Sequence, residues 1–110
     1  MDKKATLCAK LGDHYDLPDV TFEVRGPLTI EEVEQESLDQ LDKVRRADIP
    51  VRPFGFEGEK WARIKSRCRA GDEFYFFTSD ERSWSYLSGT RGYIVVRGMD
   101  IIDAIITGMN

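Results

Sequence analysis

Two stretches of the chain alternate or repeat clearly enough to name their structure. In VTFEVRGP, Val20, Phe22 and Val24 alternate with Thr21, Glu23 and Arg25 before Gly26-Pro27. A period of two with a turn behind it predicts a half-buried strand. Directly after it, Ile30, Val33, Ser37, Leu38, Leu41 and Val44 fall on one face of a 3.6-residue period. Thr29 stands three residues before Glu32, the spacing at which each side chain satisfies the other's backbone N–H. Glutamates gather at the start and Lys43, Arg45 and Arg46 at the end, each suiting the helix dipole. The pattern predicts a helix from Ile30 to about Ala47.

The rest of the chain reads in shorter pieces. The first dozen residues fit either a short helix or an edge strand. DIPVRPFGFEG is a loop, because Pro50 and Pro53 remove donors and hold the backbone extended. In KWARIKSRC, Ala62, Ile64, Ser66 and Cys68 alternate with Trp61, Arg63, Lys65 and Arg67, although Trp61, Ile64 and Cys68 also share a helical face. RAGDE makes a good turn and FYFFTS favours strand, so the expectation from Glu59 to Ser79 is a hairpin.

A second hairpin is expected at the C-terminus, where GYIVVR and DIIDAIIT flank Gly98-Met99. Glycine first in a two-residue loop suits a type II′ turn. That register sets Val96 opposite Ile101, Val95 opposite Ile102 and Arg97 opposite Asp100. Both faces come out apolar, so these strands should be central or covered by a partner.

TSDERSWSYLSG gathers hydroxyls, carboxylates, an arginine and two aromatics within a short span. Thr78 and Ser79 can cap a helix, Glu81 stands at the capping-box spacing from Thr78, and Gly89 stands where a helix ends. No histidine lies near to activate a serine. The stretch reads as a short helix, about 80–88, rather than a site.

These elements make a single α+β domain over residues 1–110: a mainly antiparallel sheet of four to five strands, one long amphipathic helix and one short one. Ile30, Val33, Leu38, Leu41 and Val44 should meet Phe74, Phe76, Trp84, Ile94 and Val96 in one modest core. At 41% apolar and 33% charged residues, the chain has the composition of a soluble domain. MDKKATLCAKLG at its start does not resemble a secretion signal, and no apolar run reaches membrane-spanning length. The expected location is therefore the cytoplasm, with no membrane association, and Cys8 and Cys68 are expected to be free, buried thiols.

Charge changes the picture more than composition does. The net charge of −4 hides a segment from Asp13 to Asp42 in which Arg25 is the one base among ten acids. From Lys43 to Arg69 the excess is basic. Such asymmetry means either partners of opposite sign or a protein that neutralises itself.

Four chemistries can be weighed on these residues. DHYDLPD offers Asp13, His14, Asp16 and Asp19, but it has neither EF-hand spacing nor enough His or Cys for zinc, so no metal, no cofactor and no catalytic residue is expected. Trp61 with Arg63, Lys65, Arg67 and Arg69 could grip a single-stranded nucleic acid, although the domain as a whole is acidic. A small ligand-binding or enzymatic module would need a pocket lined by convergent polar groups. The acidic segment would speed encounter with a basic partner. On that reading Asp13, Asp16, Asp19, Glu31, Glu34 and Glu36 supply complementary charge, while Tyr15 and Phe54 or Phe56 supply aromatic anchors. The apolar C-terminal hairpin also leaves a homodimer open.

Residues from Gly71 to Asn110 carry a resemblance. Gly71-Asp72, Ser83-Trp84, Gly89, Gly92-Tyr93, Val96-Arg97 and Met109-Asn110 resemble the C-terminal part of small bacterial immunity proteins encoded beside polymorphic or contact-dependent inhibition toxins. The likeness spans about a third of the chain and transfers no binding residue. It implies a non-enzymatic cytoplasmic protein that binds and neutralises a cognate toxin domain. The charge argument points to the same kind of partner, a basic and nuclease-like domain.

Overall fold

The computed structural model describes residues 2–17, 19–44, 48–86 and 89–109. Helix α1 (Lys3–His14) leads into strand β1 (Phe22–Leu28) and helix α2 (Ile30–Val44). A 3-10 turn at Gly55–Glu57 precedes helix α3 (Gly58–Arg67) and strand β2 (Glu73–Ser79). Helix α4 (Glu81–Ser85) then joins β2 to the hairpin of β3 (Thr90–Arg97) and β4 (Asp100–Met109). The strands form one antiparallel sheet in the order β1-β2-β3-β4. The α+β class and the antiparallel sheet agree with the sequence patterns. Among the described residues, no helix is long and apolar enough to cross a membrane.

The sheet is covered on both faces, which the single expected core did not anticipate. Leu7 and Leu11, one turn apart on α1, pack on Phe22, Tyr75, Phe77, Ile94 and Val96. On the other face Val33 of α2, Phe54, and Trp61 and Ile64 of α3 meet Phe74, Tyr93, Val95 and Ile105. Neighbours on one strand, such as Phe74 and Tyr75 or Ile94 and Val95, therefore serve opposite faces, as the pleat requires. Ile94 and Val96 belong with α1, not with the long helix as expected. The three layers follow from α1 being a helix, one of the two readings its sequence allowed.

Helix α2 starts as its sequence dictates. Thr29 N–H donates to Glu32 Oε1 at 3.0 Å, and Glu32 N–H donates to Thr29 Oγ1 at 3.1 Å. Val33 and Ser37 are buried, with Ile30, Leu38 and Leu41 half-buried. The expected last turn, 45–47, lies outside the described residues.

The hairpin expected between Glu59 and Ser79 is wrong. Residues 58–67 form a helix, with Trp61 and Ile64 buried and Ala62, Arg63, Lys65, Ser66 and Arg67 exposed. A strand would have turned Ala62 and Ser66 inward, where they could bury almost nothing. The helix buries the tryptophan instead, and its Ala, Lys and Arg residues are good helix formers. RAGDE is a turn as expected, but it links a helix to β2. Asp72 N–H donates to Arg69 O at 3.1 Å, and Arg69 N–H donates to Asp72 Oδ2 at 2.9 Å.

The C-terminal hairpin matches its expected register at Val96↔Ile101 and Arg97↔Asp100, then departs from it. Val95 pairs with Asp103 rather than Ile102, because Ile102 is the extra residue of a bulge. Strand β3 is central and buried from Gly92 to Val96. Strand β4 is an edge, so only half of the hairpin is central. At the other edge β1 continues past Gly26-Pro27, with a register shift between Arg25 and Leu28. Proline is tolerated there because an edge strand has no partner for the missing donor.

The short helix α4 is capped by Asp80, not by Thr78 or Ser79. The Asp80 carboxylate accepts Ser83 N–H at 2.8 Å and reaches across to Thr21 N–H at 3.0 Å. Those bonds hold it below the usual carboxylate pKa range. Ser79 Oγ accepts Thr90 N–H at 2.9 Å and lies 2.7 Å from Ser83 Oγ. Thr78 Oγ1 accepts the Trp84 indole N–H at 3.2 Å. These polar groups tie the ends of β2, α4 and β3 together. Leu87, expected on the helix face, lies outside the described residues.

Candidate functional site

The acidic residues do not form one surface. Asp13, Asp16 and Asp19 sit on the last turn of α1 and the loop behind it, beside the start of β1. Glu31 lies at the start of α2, at the other end of that seven-residue strand, roughly 20 Å away at about 3.3 Å per residue. All four are exposed, and among the described residues they form no ion pair. The loop is held by Leu17 N–H donating to Gly12 O at 2.8 Å and by Tyr15 stacking on Phe77 at 5.7 Å.

Glu34 and Glu36 are engaged within the protein. Glu34 Oε2 accepts the Trp61 indole N–H at 2.7 Å and Lys65 Nζ at 2.8 Å. Burial alone would raise the Glu34 pKa, but the bonds from Lys65 and Trp61 outweigh it and hold the carboxyl low. Glu36 takes two parallel bonds from Arg25, at 2.7 and 3.0 Å, and the Tyr93 hydroxyl at 2.6 Å. The guanidinium holds Glu36 below its ordinary pKa, while burial, with the Glu36 bond second, pushes the Tyr93 phenol up.

The aromatic residues divide in the same way. Phe54 is buried at 8% exposure, its ring 4.8 Å from Trp61 and 5.7 Å from Tyr93. It anchors the fold rather than facing outward. Phe56 is 62% exposed. Tyr15 is half-buried on the α1 side of the sheet, so the three rings do not converge.

The basic run is also engaged. Trp61 is 2% exposed and cannot stack on a base. Lys65 pairs with Glu34 and Arg67 with Asp103, whereas Arg63 and Arg69 are exposed. Arg63, Lys65 and Arg67, expected on one strand face, point outward from a helix, and Arg69 lies in the turn behind it.

A cleft that no sequence pattern marked lies between α2 and the sheet. Its volume is about 410 Å³. Phe76 and Tyr93 rise from the strands, Leu41 faces them from α2, and Phe54 closes one side. Phe76 and Tyr93 meet edge to face at 5.5 Å, and Arg25 lies over the Phe76 ring at 4.9 Å. One signal in the sequence bore on it. Arg25 is the single base of the acidic segment, and it is the residue that engages Glu36.

The remaining reactive groups sit apart. His14 is exposed and meets Tyr15 edge-on at 4.7 Å. Cys8 and Cys68 are free, half-buried thiols on opposite faces of the sheet, and burial pushes both pKa values up. Among the described residues, no group of three or more His, Cys, Asp or Glu is placed to hold a metal ion. No protein-family model, curated protein or solved structure matches the chain.

Proposed function

We propose that this chain is a non-enzymatic binding protein of the immunity type, which neutralises a basic, nuclease-like toxin domain in the cytoplasm. One observation carries the reading: the described charges are engaged unevenly. Of the basic run, Lys65 and Arg67 are matched by Glu34 and Asp103. The exposed Asp13, Asp16 and Asp19 have no such partner among the described residues. Unmatched carboxylates gathered on one held loop accelerate encounter with a cationic surface. Arg63 and Arg69 stay exposed, but the burial of Trp61, which leaves no aromatic for a base to stack on in that run, weighs against the nucleic-acid reading. Glu34 and Glu36 belong to the scaffold on this view, and of the three expected anchors Phe56, exposed on its loop, is the one most open to a partner.

The test begins with capture of the tagged protein's partners at low salt, followed by purification of any basic domain recovered. Association kinetics are then compared between the native chain and Asp13→Lys/Asp16→Lys/Asp19→Lys over a salt series. The triple variant should associate about tenfold more slowly at low salt and show a flatter salt dependence. An on-rate that does not change removes the electrostatic basis of the proposal.

A further inference from the structure

The cleft between α2 and the sheet is built to hold something that the acidic loop does not explain. At about 410 Å³ it falls in the size range of small-molecule sites, which are mainly apolar with a few placed polar groups. Its apolar surface comes from Phe76, Tyr93, Leu41 and Phe54. What decides the ligand's chemistry is which polar groups remain available.

The carboxylate nearest the floor is not available. Glu36 Oε1 takes Tyr93 O–H and Arg25 Nη2, and Oε2 takes Arg25 Nη1, so the pair is neutral as a unit. The Ser37 hydroxyl donates to Glu34 O at 2.8 Å. Arg91 is different. It faces the same side of β3 as Tyr93, two residues away, and opposite it in the ladder stands Gly108. A side chain on Gly108 would collide with the guanidinium, its Cβ falling 2.5 Å from Arg91 Nε. The described contacts of Arg91 are that glycine and the Trp84 ring at 5.4 Å, and it forms no ion pair among the described residues. The other charges of the cleft, Asp39, Glu57 and Lys43, are exposed, as Arg91 is, but they stand on α2 and the turn before α3 and not on the sheet. The unmatched charge that the sheet itself presents is therefore positive, at one end of an aromatic floor.

We propose that this cleft binds a small amphipathic carboxylate, its flat apolar body against Phe76 and Tyr93 and its carboxylate on the Arg91 guanidinium. A guanidinium suits that task because its donors match a carboxylate two at a time. The site goes beyond the immunity reading and uses none of Asp13, Asp16 or Asp19, so either can fail without the other.

Naphthalene-2-carboxylate and its neutral amide are suitable probes, titrated against the whole chain with backbone amide shifts recorded by NMR. The acid should bind in the submillimolar range and move resonances of Phe76, Tyr93, Arg91 and Ile106. It should bind about tenfold more tightly than the amide, the difference expected of one charge-assisted contact. Arg91→Ala should remove that preference and Arg91→Lys should restore part of it. Leu41→Trp, which fills the cleft from the α2 side, should abolish binding of both probes. Equal affinity for acid and amide, an Arg91→Ala variant that keeps the preference, or shifts mapping away from the cleft would each overturn the proposal.

Discussion

The position of α1 makes the most exacting demand on the fold. If α1 covers one face of the sheet, Leu7 and Leu11 are core residues, and both are 0% exposed. Truncating either to alanine removes a buried isobutyl group and leaves space that Phe22, Tyr75 and Phe77 cannot fully close. Such changes cost about 2–5 kcal/mol each. The whole domain is expected to be stable by only about 5–15 kcal/mol, so one substitution removes a large share. With a urea slope of about 2 kcal/mol/M, a loss near 3 kcal/mol lowers the midpoint by about 1.5 M. The two leucines share one site, so the double variant should lose less than the sum. The informative assay follows each transition by far-ultraviolet circular dichroism and by tryptophan fluorescence in a Trp84→Phe background. Trp61, the remaining reporter, sits on the opposite face of the sheet. Both signals should shift together, because one sheet serves both cores. If Leu7→Ala leaves the Trp61 midpoint where it was, α1 is an appendage and the three-layer reasoning fails.

Three further outcomes follow from local geometry. Glu34→Ala leaves the buried Trp61 N–H without its acceptor and should destabilise the domain by about 1–3 kcal/mol, with the Trp61 indole proton moving in the NMR spectrum; an unmoved proton would show that the bond at 2.7 Å is not made. Asp72 has its pKa lowered from 3.8 to about 2 by the paired bonds from Arg97 and by Arg69 N–H. A depressed folded-state pKa contributes stability above about pH 4 that is lost as pH falls toward 2, so the acid-unfolding curve of Asp72→Asn should be shallower than the native one across that window. Gly98→Ala and Gly92→Ala should separate two costs: at Gly98 (φ 65°) a Cβ meets nothing within 4 Å, so only the left-handed backbone is penalised, by about 1 kcal/mol. At Gly92 the Cβ would fall 2.1 Å from Ile105 O, so that variant should fail to accumulate as folded protein, and comparable expression and melting of the two variants would refute the distinction.

What was legible in the sequence was what local chemistry decides. The Thr29–Glu32 box and the Gly98-Met99 turn depend on residues three or fewer apart, and both stand where the pattern put them. The α3 segment could not be settled that way. Ile64 and Cys68 satisfy a period of two and a helical face equally, and the tie is broken by Trp61. As a helix residue it reaches Glu34, a partner 27 positions away. The cleft was hidden for the same reason: Glu36 lies 11 residues from Arg25 and 57 from Tyr93, and no spacing rule joins them. Charge pattern came closest to exposing it. An isolated base within an acidic run is the residue a carboxylate on the inner side of α2 must recruit, since burying that carboxylate unpaired would be costly. The negative charge counted along the segment therefore overstated what the surface shows, because Glu34 and Glu36 are matched inside. The carboxylates left in solvent are those, like Asp13, Asp16 and Asp19, that no inner surface required.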